Sequence, residues 1–188
     1  MLRGLVRFLC PESHVKKAVI VVDMQKDNVG RFCKEIIPNI KFLIEKAREK
    51  GIPIIYACDS RYREDSLFKR VGMPPHAIRG TEGAKVIEEL NPKATDVVVE
   101  KRMLSAFFGS DLDFTLREKE IKTLIVTGIR TEGCVLKTVL DAFELGYEVI
   151  VPADCCASPI PEAHEFILRY LQGFKFPTPM LEELVKTL

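Results

Sequence analysis

The sequence lacks the compositional signals of several large function classes. Its 188 residues are almost neutral overall, with 28 basic and 27 acidic side chains, so no charge excess points to a nucleic-acid partner. Apolar runs are short, as in AVIVV at 18–22, which argues against a transmembrane helix and a membrane partner. The opening segment 1–14 is interrupted by Arg3 and Arg7 and does not fit a secretory signal. We therefore expect a cytoplasmic protein.

Familiar cofactor and redox motifs are missing as well. No G-x-G-x-x-G follows a predicted strand, which removes the usual support for dinucleotide binding. The glycine spacing at 128–133 is that of a phosphate-binding loop, but Cys134 and Val135 stand where Lys-Ser/Thr is required. The six cysteines form no CxxC or zinc-type pattern, as expected for a reduced intracellular protein. The adjacent Cys155 and Cys156 are either a redox pair or, as we favour, small residues packed in a loop.

What the chain does contain is a regular alternation of strand and helix patterns. Apolar segments predict strands at KAVIVVD ending at Asp23, at 52–57, 96–101, 123–127 and 147–154, and a short strand at 174–176. Apolar residues at helical spacing predict helices at 36–50, 81–90, 111–119, from about Cys134 to Gly146, at 161–171 and at 180–188. Such alternation is typical of a doubly wound, mostly parallel α/β sheet. We expect one domain over 1–188, with 1–15 as an N-terminal extension.

The segment 122–146 concentrates the candidate chemistry. A buried strand is followed by a turn that Gly128 opens, and then by the helix that starts near Cys134. The Cys134 thiol is therefore expected beside the unpaired N–H groups and the positive end of a helix. Such an environment stabilises a thiolate and lowers the pKa of a thiol, so we predict a nucleophilic cysteine.

Two further candidates lie at the ends of predicted parallel strands. Asp23 follows the first strand and Lys101 ends the third, and ligands bind beyond such strand ends in open α/β sheets. Asp23 can accept the thiol proton of Cys134, while Lys101 stabilises both the thiolate and the ionised carboxylate. Each residue also has an ordinary structural interpretation, as a turn aspartate, a solvated lysine and a packed cysteine. Their combination is what favours an active site.

Five ordered segments give this combination a family context. They are VVDMQKD (21–27), RGTEGA (79–84), KRMLSAFFGSDL (101–112), TGIRTEGCV (127–135) and DAFELGYEVIVPAD (141–154). In residues and spacing, the chain from Lys17 to Ser158 resembles the isochorismatase-like cysteine hydrolases, a superfamily that includes nicotinamidases and N-carbamoylsarcosine amidases. Any one segment is a weak signal, whereas the ordered set is specific.

The resemblance implies a three-layer α/β/α fold around a six-stranded parallel sheet of order 3-2-1-4-5-6. It carries a catalytic triad onto Asp23, Lys101 and Cys134, and we expect no cofactor. Strand three then lies about 9–10 Å from strand one, a gap that a lysine side chain can close. The resemblance also implies a cis peptide between Ile129 and Arg130, and an oxyanion hole made by the backbone N–H groups of Arg130 and Cys134.

The implied activity is hydrolysis of a C–N bond in a small linear amide or carbamoyl compound through a thioester. Isochorismatases proper cleave a vinyl ether without a nucleophilic cysteine, so the presence of Cys134 points to C–N hydrolysis. The alternative is a non-catalytic or redox-active member of the same fold that binds a ligand. Relatives are commonly dimers or tetramers, so we expect a homodimer or a homotetramer.

The sequence departs from nicotinamidases at their metal site. Those enzymes use an Asp-x-His pair and a later His, whereas this chain has Asp59, Arg61 and His76. A guanidinium has no free lone pair to offer a metal, so we expect no catalytic metal. Arg61 is instead either a clamp for a substrate carboxylate or a surface residue of a basic loop. His76 is either a donor in the substrate pocket, which we favour, or simply a loop residue.

The remaining substrate contacts are predicted beside the oxyanion turn and in the pocket walls. Asn28 stands where many relatives have an aromatic residue after the D-x-Q-x-D motif, which favours a smaller or more polar substrate than a pyridine ring. Phe107, Phe108 and Tyr62 are candidates for an apolar wall. Ile129, next to the turn, is predicted to contact the substrate as well.

Overall fold

A parallel sheet of six strands forms the centre of the protein, which we describe from a computed structural model of residues 16–188. The strands are β1 (Lys17–Val22), β2 (Ile54–Asp59), β3 (Val97–Lys101), β4 (Thr123–Ile129), β5 (Glu148–Ile150) and β6 (Cys156–Ala157). Their order is β3-β2-β1-β4-β5, and β6 pairs with β4. The predicted parallel α/β sheet is confirmed, while the predicted N-terminal extension 1–15 lies outside the described residues.

The sixth strand lies on the edge of β4 rather than beyond β5. β5 pairs with residues 123–125 of β4, and β6 pairs with Gly128 and Ile129 further along the same strand. Pro152, which follows β5, has no N–H with which to continue the ladder. The predicted strand 147–154 is therefore cut short, and the chain returns to the same edge at Cys156.

No strand forms at 174–176 within the described chain, so that prediction is wrong. Phe176 is buried in the core, but Pro177 and Pro179 follow it and have no N–H groups to give to a ladder. The carbonyl groups of these two prolines instead accept the N–H groups of Val151 and Ala153, both at 2.9 Å. The tail is thus tied to the sheet edge without extending it.

Six α-helices form in residues 16–188. They are α1 (Ile36–Glu49), α2 (Ser66–Val71), α3 (Leu112–Glu118), α4 (Leu136–Glu144), α5 (Pro161–Gly173) and α6 (Leu181–Val185). Val19 and Val21 of β1 pack with α1 and α6, whereas Ile20 packs with α3, α4 and α5 on the opposite face. The sheet is therefore buried on both faces, as its continuous apolar strands predict. None of these helices is long and apolar enough to cross a membrane.

The predicted helix at 81–90 is replaced by two 3-10 turns, Glu82–Ala84 and Glu88–Leu90. Between them Val86 forms an isolated antiparallel bridge with Gln25, in the loop after β1. This bridge needs extended backbone, which interrupts a helix. The helix prediction is therefore wrong, and the segment serves to fasten the loop after β1.

Candidate active site

Four reactive or charged side chains meet at the carboxyl ends of neighbouring strands. Asp23 directly follows β1, Asp59 ends β2, Lys101 ends β3 and Cys134 lies in the turn after β4. All four are buried. The strand order brings the three predicted residues to one edge of the sheet. Sequence analysis considers Asp59 only as a metal ligand, whereas the structure places it inside this group.

Lys101 links the two aspartates across the sheet. Its Nζ donates to Asp23 Oδ2 at 2.9 Å, to Asp59 Oδ1 at 2.7 Å and to the Met103 carbonyl at 3.2 Å. Asp59 and Lys101 are paired residues of β2 and β3, whereas Asp23 follows β1, one strand further. A long side chain thus closes the gap from the third strand to the first, as predicted. Two carboxylates and one ammonium group share a site with almost no solvent contact.

Asp23 turns sharply out of β1. Its φ is 54°, in the left-handed region that aspartate tolerates better than most residues. The backbone N–H still donates to the Ala57 carbonyl of β2 at 2.9 Å, and Oδ1 accepts the Asp59 N–H at 3.2 Å. The carboxylate is therefore held at both oxygens, by a backbone donor at one and by Lys101 at the other.

The turn that carries Cys134 covers Thr131–Val135, is kinked at Gly133, where φ is −115° and ψ is −105°, and runs directly into α4. The N–H groups of Gly133 and Val135 donate to the Arg130 carbonyl at 3.0 and 3.2 Å. The peptide between Ile129 and Arg130 is cis, as predicted. Cys134 thus lies just before α4, close to the predicted position at the helix N-terminus.

Gly128 belongs to β4 and not to the turn that follows. The strand continues to Ile129, and the kinked turn covers Thr131–Val135. At Gly128 φ is +113°, and any Cβ would collide with the Val22 carbonyl of β1. Glycine is therefore required for the close approach of β4 to β1, which corrects its predicted role as the opening of the turn.

Burial and neighbouring charges set the protonation of this group. Burial, opposed by Lys101 and reinforced by Asp59, raises the pKa of Asp23 to about 6. Burial and the negative charge of Asp23 hold the pKa of the Cys134 thiol well above its ordinary value. Burial acts to lower the pKa of Lys101, but the charges of Asp23, Cys134 and Asp59 together outweigh it, and the pKa is raised. The resting site therefore holds a neutral thiol beside an ammonium group.

The predicted lowering of the pKa of Cys134 is wrong for the resting site. A helix N-terminus contributes partial positive charge, but this thiol is only 9% exposed and faces Asp23. Desolvation and repulsion therefore dominate. The thiol also lowers the pKa of Asp23 as a hydrogen-bond donor. The thiol thus lies near the carboxylate that can accept its proton.

Gln25 holds the ends of β1 and β2 together and is missing from the predicted site. It is fully buried, and its amide donates to the Asp59 carbonyl and accepts the Asp59 N–H, both at 2.7 Å. Nε2 also donates to the Ala84 carbonyl at 2.7 Å, and Oε1 accepts from Asn28 Nδ2 at 3.2 Å. Gln25 is therefore a positioning residue. Its place in the VVDMQKD segment, two residues after Asp23, is the sequence signal that points to it.

A cavity of about 480 Å³ opens over the cysteine and the two aspartates. The predicted substrate contacts that line it are Asn28, Arg61, His76 and Ile129. Its apolar wall comes mainly from α2 and the loop after it, with the side chains of Leu67, Val71, Met73, Pro74 and Leu104. This wall is not predicted, because the helix pattern of the sequence shows no helix between 50 and 81.

The three aromatic residues predicted for the apolar wall lie elsewhere. Phe107 packs against the core on the side of α3 and α4 and stacks on Tyr147, with ring centroids 5.9 Å apart. The Tyr62 ring lies under the guanidinium of Arg102, 4.9 Å from the centroid. Phe108 is 65% exposed and does not line the cavity. The prediction of an aromatic wall is therefore wrong.

His76 is part of the cavity lining but is not a donor there in its neutral form. Its Nδ1 lies 2.9 Å from the Pro74 carbonyl, and its ring meets the edge of Phe68. Because a carbonyl only accepts, Nδ1 carries the proton, and the neutral ring presents Nε2 as an acceptor. The predicted donor role is thus reversed.

The residues at the nicotinamidase metal position do not fit a metal ion. Arg61 takes the place of a histidine and donates to Asp59 Oδ1 at 2.9 Å, the oxygen that also accepts from Lys101. A carboxylate oxygen that already binds two cations has little capacity for a third. In residues 16–188 no cluster of three or more His, Cys, Asp or Glu side chains has the arrangement of a metal site. A guanidinium therefore supplies the positive charge beside Asp59.

The adjacent cysteines Cys155 and Cys156 lie apart from this site. Both are buried and free of disulfide bonds. Burial raises the pKa of both thiols, which keeps them protonated and slow to react. Packing is therefore the better interpretation of this pair.

The fold and this group of side chains define an α/β protein with a buried cysteine, aspartate and lysine at the carboxyl edge of its sheet. The chain belongs to the isochorismatase family, since the family model described as the isochorismatase domain matches residues 17–181. The predicted family and fold class are both confirmed.

Three similar proteins give the breadth of this family. A probable inactive nicotinamidase of Arabidopsis thaliana is 31% identical, over 88% of this chain and 93% of its own length. An N-carbamoylsarcosine amidase of Arthrobacter sp. is 33% identical, over 67% of this chain and 51% of its own length. The crystal structure of an isochorismatase-like hydrolase from Alkaliphilus metalliredigens is similar with a TM-score of 0.86 at 32% identity, covering 92% of this chain and 98% of that chain. The relatives thus include amide hydrolases.

Proposed function

We propose that this protein is a cysteine-dependent amidohydrolase that cleaves the C–N bond of a small amide or carbamoyl compound through a thioester. The observation that carries the proposal is the buried pair of Lys101 and Asp23, 2.9 Å apart, beside Cys134 at the floor of a cavity. A buried ion pair is costly to desolvate, and strongly perturbed groups of this kind cluster at active sites. The pair supplies a base for the thiol and a cation for the thiolate.

In the first step the Cys134 thiol attacks the amide carbon. Its proton passes to a carboxylate oxygen of Asp23, the Sγ–C bond forms, and the carbonyl oxygen becomes an oxyanion. Because the pKa of the thiol lies above that of Asp23, the transfer is unfavourable until an electrophile is present. The ammonium group of Lys101 stabilises the negative charge as it moves from Asp23 to sulfur.

The oxyanion is assigned to the backbone N–H groups of Arg130 and Cys134. The N–H groups of Gly133 and Val135, on either side of the cysteine, already donate to the Arg130 carbonyl. Donors fixed in a backbone turn need no reorganisation when charge develops, and the loss of one such donor typically costs about 100- to 1000-fold in rate. The turn is therefore expected to contribute much of the acceleration.

Collapse of the tetrahedral intermediate breaks the C–N bond. Asp23 gives its proton to the leaving nitrogen, so ammonia or an amine departs and a thioester remains on Cys134. Water then attacks the thioester while Asp23 accepts a proton from it. The Sγ–C bond breaks, the acid is released, and sulfur recovers the proton. One carboxyl group thus serves as base and acid in turn.

Replacing the nucleophile is the direct test. We expect Cys134→Ala to lower ammonia release by about a thousandfold or more on any small amide or carbamoyl compound that the wild type hydrolyses. Cys33→Ala is the matched control, because Cys33 is also buried but lies in the core and does not line the cavity. The control should keep the wild-type rate. Full activity in Cys134→Ala contradicts the mechanism.

A non-catalytic, ligand-binding member of the family is the second candidate function. Two observations favour it: the Cys134 thiol is neutral in the resting site, and the Arabidopsis relative is named as probably inactive. Labelling of Cys134 by an electrophilic amide analogue distinguishes the two candidates. In an amidase Asp23→Asn should slow the labelling because the variant has no base. Equal labelling of variant and wild type favours the non-catalytic protein.

A further inference from the structure

Arg61 is a buried cation with an unused hydrogen-bond donor. It is 3% exposed, lines the cavity and donates from one terminal nitrogen to Asp59 Oδ1 at 2.9 Å. Its Nε–H group has no partner among the described residues. A buried charged donor without an acceptor is costly and rare, so it calls for an explanation. The interpretation of Arg61 as a surface residue is excluded, and a ligand is the natural source of the missing acceptor.

The guanidinium is held in a fixed position. The Arg61 N–H donates to the Ala77 carbonyl at 3.1 Å, and the Arg61 carbonyl accepts the Arg79 N–H at 2.9 Å. The guanidinium also lies over the Phe68 ring, 5.7 Å from its centroid. Both ends of the residue are therefore ordered before a ligand arrives, which lowers the entropy lost on binding.

Three of the four acidic side chains that line the cavity have protein partners of their own. The carboxylates that line it are Asp23, Asp27, Asp59 and Glu132. Lys101 binds Asp23 and Asp59, and Asp27 Oδ2 accepts the Ala77 N–H at 2.9 Å. Glu132 differs, because its Oε2 is buried and has no hydrogen-bond partner among the described residues. The two cationic side chains that line the cavity are Arg61 and Arg130, and of these Arg61 is the buried one, beside the floor of the site.

We propose that Arg61 binds a carboxylate of the substrate, so that the amide cleaved at Cys134 belongs to a small acid. The proposal rests on the amidase function proposed above. A guanidinium presents parallel N–H groups that match the two oxygens of a carboxylate, and charge-assisted pairs of this kind are roughly twice as strong as neutral hydrogen bonds.

The spacing of the site limits the size of this acid. Three consecutive contacts connect Arg61 to the base beside Cys134. Arg61 lies 2.9 Å from Asp59, and Asp59 lies 2.7 Å from Lys101. Lys101 in turn lies 2.9 Å from Asp23, which is that base. The anchor and the nucleophile therefore lie within one small cavity. The carboxylate and the amide carbon of the substrate must then be only a few bonds apart.

Matched substrate pairs test the proposal on the wild-type protein. Succinamate and malonamate carry a carboxylate, and their methyl esters present the same amide without the charge. We expect kcat/KM for ammonia release to be on the order of 100-fold higher for the acids, because the buried donor is left unpaired by the esters. A ratio near one, or a preference for the esters, overturns the proposal.

Variants at two arginines of the same loop assign the preference to a residue. Arg61→Gln should lower kcat/KM for the acids on the order of 100-fold more than for the esters, so that the preference for the acids is lost. Arg61→Lys keeps the charge without the parallel N–H groups and should retain only part of the preference. Arg63→Gln makes the same charge change at an exposed position and should behave as wild type. Equal losses on acids and esters in Arg61→Gln overturn the proposal.

The outcome remains decisive if a variant misfolds or if the amidase function fails. Thermal unfolding shows whether Arg61→Gln is folded. If it is not, the proposal is decided by Arg61→Lys and by the wild-type ratio of kcat/KM for the acids to kcat/KM for the esters. If the wild type releases no ammonia from these pairs or from other small amides and carbamoyl compounds, the amidase function has failed, and calorimetry with succinate then tests Arg61 alone. Succinate binding that weakens at least about tenfold in Arg61→Gln supports the anchor. Absence of binding, or equal binding to both proteins, overturns it.

Discussion

The floor and the wall of the cavity are built in different ways. The floor consists of strand ends, where Asp59 and Lys101 are paired residues of β2 and β3 and Asp23 follows β1. The wall consists of α2 and the loop after it, where Val71 is 51% and Met73 is 37% exposed. Strand ends are fixed by the register of the whole sheet, whereas a surface loop can change without disturbing the core.

This difference separates chemistry from selection. The charges of the floor compensate one another, so a change at one of them affects both folding and reaction. A change in the wall affects the fit of a ligand and little else. Arg61 joins the two regions, because it binds Asp59 of the floor and lies over Phe68 of the wall.

The largest effect is expected from Lys101→Met. The variant leaves Asp23 and Asp59 as neighbouring buried carboxylates, and breaking a buried ion pair from one side costs about 3–5 kcal/mol. Denaturant titration should show that loss in the free energy of unfolding, and hydrolysis should fall about a thousandfold or more. Lys41→Met, at an exposed position of α1, should stay within about 0.5 kcal/mol of wild type. A Lys101→Met protein as stable as wild type would show that the floor does not depend on its charges.

The next effect is a loss of activity in acid. Asp23 has to be ionised to accept the thiol proton, and its pKa is about 6. As the pH falls through that value the base is protonated, so kcat/KM should drop about tenfold per pH unit below 6 and be level above it. A pH–rate profile measures this. Asp59→Asn should move the limb to lower pH, because the charge of Asp59 raises the pKa of Asp23. If the acid limb of the pH–rate profile moves to higher pH in Asp59→Asn, the charge of Asp59 does not raise the pKa of Asp23 and the described arrangement is wrong.

The floor could be predicted from the sequence because topology alone assembles it. Continuous apolar runs end at Asp23 and Lys101, and a parallel sheet brings such ends to one edge whatever the loops do. The role of Asp59 escapes this argument, since no local pattern shows that its carboxylate lies between Lys101 and Arg61. The raised pKa of Cys134 could not be predicted from topology either, because it results from burial and from the charge of Asp23.

The wall could not be predicted because its signal is short and its partners are distant. α2 has six residues, too few for a helical period to show in the sequence. Phe107 lies within the segment 101–112, which points to the site, yet its ring packs on Tyr147 far along the chain. The expected homodimer or homotetramer and the cytoplasmic location stay predictions.

The smallest effect is expected from Met73→Ala in the wall. Met73 lines the cavity and is 37% exposed, so its truncation removes apolar contact with a ligand and little of the core. KM for the best amide should rise about two- to fivefold with kcat unchanged, as expected when a contact is equally strong in the ground and transition states. The free energy of unfolding should stay within about 0.5 kcal/mol of wild type. Met180→Ala makes the same truncation at a residue that is 50% exposed and outside the cavity, so it should leave KM unchanged. If Met73→Ala instead lowers kcat as strongly as a change in the floor, the wall takes part in the chemistry and the two regions are not separate.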